Sequence, residues 1–504
     1  MQTKNIFIWL LSALTLAGAG CKKILNQNIN GSYTPSNFFT SDDNAAKAVN
    51  NAYKPLSFSS GANNAIWVLG DVGSDDALKG GDPGDQADFD AIHNFNILPT
   101  NSAVEAVWQN YYNGVYACNV VLDGLTGAGT GVSDSIKRFG IAQAQFLRAY
   151  YYFILTTSYG NIPLHLKVES ALEAQSPARP QDTIFTQIEK DCLAAAAVLP
   201  VSVSNDNFGQ ATKGAALALL AKAYLFHTSL ANNYQLAAQA AQQVVALGQY
   251  SLTPNYYDNF RASTKINTEA IFSVNHLAGT LAIGNELNAW FAPRVVSGYG
   301  FFYPTRSLVN NFDTTASGQP DPRLDYCVAR AGHPYFDLAF DPTWTTTGYL
   351  TKKMVQPISE VPTNTKNVGT VNYEAIRLAD ILLVEAEALN ESGQSALALA
   401  PLNAVRQRAK NCYLVDTSLP GYGTVPVGLL DDITVTDQTQ LRDIIRHERR
   451  SELALEFHRF FDVIRYGSAY ATAALSSGTN FNYATNKWYP LPQSERDANP
   501  NLFK

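Results

Sequence analysis

LLVEAEALNESGQSALALAPLNAVRQRA, residues 382–409, decides the fold. Apolar and small residues recur at helical spacing up to Asn390, a short Ser-Gly turn intervenes, and a second, alanine-rich helical run begins near Ala396. Small residues where two helices cross let their backbones approach closely, which is the basis of tetratricopeptide-type stacking. A second stretch, ALLAKAYLFHTSLANNYQLAAQAAQQVVALG (218–248), has the same form with a longer turn. The two copies are divergent repeats rather than a regular array.

Working outward, helical periodicity also predicts helices over Ala45–Tyr53, Val104–Leu125, Ile136–Tyr159, Ile184–Leu199 and Leu441–Tyr466. In the last, Leu453, Phe457, Phe460 and Ile464 form one apolar stripe, and Gly467 ends it. Residues 251–375 are different, being rich in Pro, Gly, Thr and Asn with short apolar runs such as EAIFSVNHL. They read as a long, loop-rich insertion with a few short strands. The expected class is therefore all-α, with divergent helix pairs in 21–250 and 376–504 flanking the insertion 251–375 in one compact unit.

With 46% apolar and 16% charged residues, the 504-residue chain has ample material for a core. A formal net charge of −7 without a basic stripe argues against nucleic-acid binding, which draws its affinity from Lys and Arg on phosphates. At the start, Lys4 precedes an apolar run from Ile6 to Leu16, small residues 17–20 and Cys21. That order reads as an export signal over 1–20 and resembles a bacterial lipoprotein signal, with Cys21 as the lipidated residue. Cys118, Cys192, Cys327 and Cys412 are widely spaced and read as buried single thiols.

The stretch GDVGSDDALKGGDPGDQADFD (70–90) holds seven aspartates. A calcium site lacks the EF-hand spacing with its closing glutamate. A hydrolytic acid pair needs burial that a glycine-rich loop does not promise. Turn chemistry explains Asp82 and Asp85. For Asp71, Asp75 and Asp76 the favoured reading is a ledge that accepts hydrogen bonds from hydroxyls. The second candidate surface is AWFAPRVVSGYGFFY (289–303), where Trp290 and Tyr299, together with Trp344, offer rings for sugar C–H faces or for packing. Trp108, Phe301 and Phe302 read as core. Arg377 is either a guanidinium fork for ligand hydroxyls or an ion-pair partner of Asp380 or Glu374. Asp71, Asp75, Asp76, Trp290, Tyr299, Trp344 and Arg377 are expected to meet in one shallow groove. No phosphate loop, metal-ligand helix or catalytic elbow is present.

Six segments in order resemble the SusD/RagB family of Bacteroidetes outer-membrane lipoproteins: LGDVGSDDALKGGD (69–82), FLRAYYYFILTTSYGNIPL (146–164), GYGFFYPTRSLVNNF followed by DPRL (298–324), RLADILLVEAEALNESG (377–393), IIRHERRSELALEFHRFFDVIRYG (444–467) and YPLPQSERDANPNL (489–502). The resemblance spans nearly the whole chain after Cys21. It implies four tetratricopeptide-like units, a loop-rich ligand face, and a non-enzymatic, surface-exposed lipoprotein. Such a protein binds glycans beside a SusC-like TonB-dependent transporter in the outer membrane and needs no cofactor. A protein-binding helical scaffold and a secreted glycoside hydrolase are the rival classes.

Overall fold

The computed structural model describes residues 38–59, 63–277, 283–361 and 368–504. Cys21 and the signal-like segment 1–20 lie outside these residues. The longer helices are α1 (Asp42–Tyr53), α2 (Ser102–Thr126), α3 (Asp134–Tyr159), α4 (Gln181–Val198), α5 (Lys213–Phe226), α6 (Asn233–Ala246), α7 (Leu378–Glu391), α8 (Ser395–Val415) and α9 (Gln438–Glu452). Each of α2 to α8 packs on the next, and α9 packs on α7. The class is mainly helical, as the repeat pattern predicts.

The opening stretch forms as read. After α7, Gly393 adopts the left-handed conformation (φ 79°). Its N–H reaches the carbonyl of Asn390, and that of Gln394 reaches Leu389. This closing pattern satisfies carbonyls that the helix end leaves free. The small residues then do their work: Ala215, Ala218 and Ala221 of α5, Ala237 and Ala241 of α6, and Ala379 and Ala386 of α7 are fully buried. Because α6 touches both α5 and α7, the two pairs join into one stack. At Gly114 of α2 a methyl group would meet the Tyr151 ring of α3 at 2.5 Å, so only glycine allows that approach.

Among the described residues, six short strands make three two-stranded antiparallel ribbons. They are β1 (Ala77–Gly80) with β3 (Phe301–Pro304), β2 (Ala270–Val274) with β6 (Tyr373–Arg377), and β4 (Val328–Ala329) with β5 (Leu350–Thr351). Strand β2 carries the IFSV of EAIFSVNHL, and β6 leads directly into α7.

One expectation fails. The helix read as continuous over Leu441–Tyr466 ends at Glu452 and resumes only over Arg459–Arg465. Leu455 (φ 62°) and Phe457 (φ 71°) take left-handed backbone conformations that no helix accommodates. The apolar stripe survives the break, since Leu453, Phe457 and Phe460 are all buried. The cause of the break lies in the aspartate segment.

Candidate functional site

Asp71 sits on a wide helical turn over Val68–Val72, almost fully buried. Its carboxylate accepts the main-chain N–H of Phe457 at 2.9 Å and of Arg459 at 3.3 Å, the two groups freed by the helix break. Burial, reinforced by the nearby Asp76, pushes its pKa well above the ordinary carboxylate range. Gly70 beside it is obligatory, because a methyl group there would lie 2.2 Å from the Phe457 carbonyl oxygen.

Asp75 and Asp76 face guanidinium groups of the same distant segment. Asp75 accepts both arms of the Arg459 fork at 2.7 and 3.1 Å and lies 2.9 Å from Arg450. Asp76 accepts Arg450 Nε at 2.8 Å. For Asp75, burial opposes ionisation, but Arg459 and Arg450 outweigh it and hold the pKa below its usual value. For Asp76, burial prevails and raises it. The main-chain oxygens of both residues bond Thr305, at 2.6 and 2.9 Å, which ties the start of β1 to the cap of the short helix Arg306–Val309 that follows β3.

The three aspartates therefore form an internal clasp between residues 71–76 and 450–459, not a ledge open to hydroxyls. Arg450 and Arg459, 374 or more residues away in sequence, are the missing signal. Among the described residues no cluster of three acidic, His or Cys side chains is placed to hold a metal.

Arg377 is corrected as well. It is fully enclosed and saturated: Nε and Nη2 bind Glu456 at 2.8 Å each, Nη1 binds Glu269 at 2.8 Å and Glu452 at 2.5 Å, and Nη2 also reaches the Glu452 carbonyl at 2.7 Å. No donor is left for a ligand. Neither expected partner is used. Asp380 instead bonds Lys222 and Arg449, the latter at 2.6 Å. Glu374, three residues back on the same strand, points to the opposite face, where Ser273 donates to it at 3.2 Å. Arg408, Arg323, Arg406 and Lys353 complete a buried lattice with Glu269, Glu448, Glu452, Glu456 and Asp321. Burial resists the charge on Glu452, yet Arg408, Arg377 and Arg323 draw its pKa down to about 2.

The aromatic candidates behave differently. Trp290 is 9% exposed and packs against Phe301 at 4.9 Å, Trp67 at 6.0 Å and, stacked, Phe89 at 6.3 Å. Tyr299 stands edge-on to it at 6.0 Å and is 49% exposed. Trp344 is half-buried, edge-on to Phe340 at 5.5 Å, and its carbonyl accepts the Tyr303 hydroxyl at 3.4 Å. Tyr299, supported by Trp290, thus lies just before β3, and the buried Tyr303 of β3 holds the Trp344 loop against the same ribbon. Phe301, Phe302 and Trp108 are core, as read.

The charge at this face comes from two aspartates read only as turn residues and from Arg294, which the sequence reading does not single out. Arg294 binds Asp82 at 2.8 Å and Asp85 at 3.3 Å, and all three side chains are about half exposed. Its position inside the aromatic stretch 289–303 was the available clue. Half-exposed rings beside exposed carboxylates and a guanidinium can lie against sugar C–H faces and order their hydroxyls. The expected single groove is thus divided among an aromatic face, a buried aspartate–arginine clasp and a buried ion-pair lattice around Arg377.

Comparison with known proteins agrees with this architecture. Residues 85–225 match the family model described as starch-binding associating with outer membrane, and residues 268–504 match that of the SusD family. A SusD-like protein of Formosa agariphila is 26% identical over 99% of this chain and 98% of its own. A laminarin-binding SusD-like protein of solved structure is 28% identical, with a TM-score of 0.75 over 92% of this chain and 98% of its own. The surface glycan-binding protein A of Bacteroides thetaiotaomicron, solved with laminarihexaose, superposes with a TM-score of 0.75 at 24% identity over 92% of this chain and 98% of its own. With the six ordered motifs, the helix-pair stack and both family models in agreement, the chain belongs to the SusD/RagB family.

Proposed function

We propose that this protein binds glycans at the cell surface without transforming them and passes them to a TonB-dependent transporter, held to the outer membrane by a lipid on Cys21. The observation that carries the reading is the exposed ring of Tyr299 and the half-buried Trp344, held by the buried Tyr303, beside the exposed Arg294, Asp82 and Asp85. Solved relatives described as binding laminarin and laminarihexaose support it. Asp82 and Asp85 share one guanidinium on an open face, whereas a glycoside hydrolase needs two carboxyl groups flanking the scissile bond in distinct roles. No described helix is long and apolar enough to cross a membrane, so tethering rests on the N-terminal segment.

Calorimetry against a panel of neutral glycans that includes laminarihexaose tests the reading. Micromolar to millimolar binding that Tyr299→Ala abolishes supports it, corresponding to about −8 to −4 kcal/mol. No binding across the panel overturns it. For the anchor, Cys21→Ala should move the protein out of the membrane fraction, and unchanged fractionation refutes the tether. Recovery of a TonB-dependent transporter with the intact lipoprotein, and its absence from controls, tests delivery.

A further inference from the structure

A cavity of about 510 Å³ opens between the segments 257–263, 325–337, 352–360 and 418–420, and shares no lining residue with the aromatic face. Its volume is that of a small-ligand site, on the order of 300–1,000 Å³. Tyr257, Phe260, Tyr326 and Phe336 put four rings on its wall. Tyr257 stacks on Tyr326 at 5.5 Å with planes 4° apart, and on its other neighbour, Phe336, at 6.3 Å. Phe336 is held in a left-handed conformation (φ 51°), a strain that is retained where the surroundings enforce it.

Two cations lie over these rings, neither of them in a close ion pair. The Arg261 guanidinium sits 4.6 Å above Tyr257, and its nearest described carboxylates, Asp258 and Asp416, are 3.9 Å away. Asp416 is already engaged by Tyr326, Asn255 and Ser418. Lys352 Nζ lies 5.3 Å from the Phe336 ring centre, and its one hydrogen bond among the described residues goes to the Asp325 carbonyl at 2.8 Å. The Asp325 carboxylate is committed to Arg330 at 2.7 Å and His333 at 2.6 Å. Burial, with Arg330 and Arg261 adding to it against Asp325 and Cys327, lowers the Lys352 pKa to about 8. A desolvated ammonium so placed gains from an incoming anion. At the rim, exposed Asp337 and Glu360 provide acceptors for hydroxyls and repel a densely charged ligand.

We propose that this cavity is a second saccharide site selective for a sugar acid bearing one carboxylate per ring, a hexuronate unit, whose carboxylate lies between Lys352 and Arg261 and whose ring stacks on the tyrosine wall. It stands on its own cavity and does not depend on the aromatic face binding neutral glycan. Rings and rim acceptors serve any sugar. Lys352 and Arg261 distinguish the acid.

The test is calorimetry of the full mature protein with trigalacturonate and triglucuronate, each compared with its methyl ester, which keeps the rings and removes the charge. The acid should bind at least about tenfold more tightly than the ester. Lys352→Gln and Arg261→Gln should each erase that preference while neutral-glycan binding, measured on the same samples, persists. Asp337→Asn, at an exposed rim position that leaves the fold alone, should strengthen acid binding. The proposal is overturned if acid and ester bind alike, if neither binds, or if folded Lys352→Gln protein retains the preference. Loss of neutral-glycan binding alone would instead count against the aromatic face.

Discussion

The carboxylate of Asp71 accepts the main-chain N–H of Phe457 at 2.9 Å, across 386 residues of sequence. This bond stands where α9 would otherwise continue, and it explains why a segment with a clear helical stripe turns instead. Gly70 lets the two backbones touch.

Gly70→Ala should destabilise the protein by about 3 kcal/mol, because its methyl group would meet backbone that cannot rotate away. Asp71→Ala, which strands two buried N–H groups, should cost about 2–4 kcal/mol, and Asp71→Asn less because its amide oxygen still accepts. Urea unfolding measures all three. Equal losses for Asn and Ala would show that the carbonyl-type acceptor is not what the turn requires.

Arg377→Met should destabilise by about 3–5 kcal/mol, since it leaves Glu269, Glu452 and Glu456 facing one another in the interior. Arg377→Lys should recover little, because an ammonium cannot reproduce the fork that spans three carboxylates. Chemical denaturation of the two variants checks this. Loss of glycan binding with unchanged stability would instead return Arg377 to a ligand role.

Tyr299 and Trp290 should separate binding from folding. Removing the exposed Tyr299 ring should cost about 1–3 kcal/mol of glycan affinity with an unchanged melting temperature. Trp290→Ala should cost about 3–5 kcal/mol of stability as well, because its ring fills the space among Trp67, Phe89 and Phe301. Paired calorimetry and thermal unfolding distinguish them.

His458 should make the fold acid-sensitive. Burial, then the charge of Lys222, lowers its pKa from 6.5 to about 4, with Arg449 adding to this and Asp380 and Asp462 opposing it. Unfolding releases the ring to bind a proton between those values, so stability is full above pH 6.5 and falls as pH drops toward 4. The shift corresponds to roughly 3 kcal/mol. Glu452 adds a second loss below its ordinary 4.5, down to about 2. Unfolding free energies from pH 7 to 4 should decline less steeply in His458→Gln than in the parent, and parallel slopes would remove His458 from the account.

What the sequence determined by itself is what local forces decide. The spacing of small and apolar residues in 382–409 places α7, its Gly393 turn and α8, since helix propensity, burial of one face and a left-handed glycine act within a few residues. The core roles of Trp108, Phe301 and Phe302 follow from the same local context, whereas Trp290 and Tyr299, alike in the sequence, were separated into support and exposed ring only by the fold. Partnership was decided only in three dimensions. An aspartate in GDVGSDD has the same composition whether it meets water, calcium or Arg459, and residues 374 or more positions away select among these. Arg377 likewise carries a fork suited to hydroxyls until Glu269, Glu452 and Glu456 occupy every donor. Asp82 and Asp85, read as turn residues, become part of the ligand face because the pairing of β1 with β3 brings Arg294 beside them. Charge pairing depends on distance in space, and that distance is set by how the helix stack and its ribbons close.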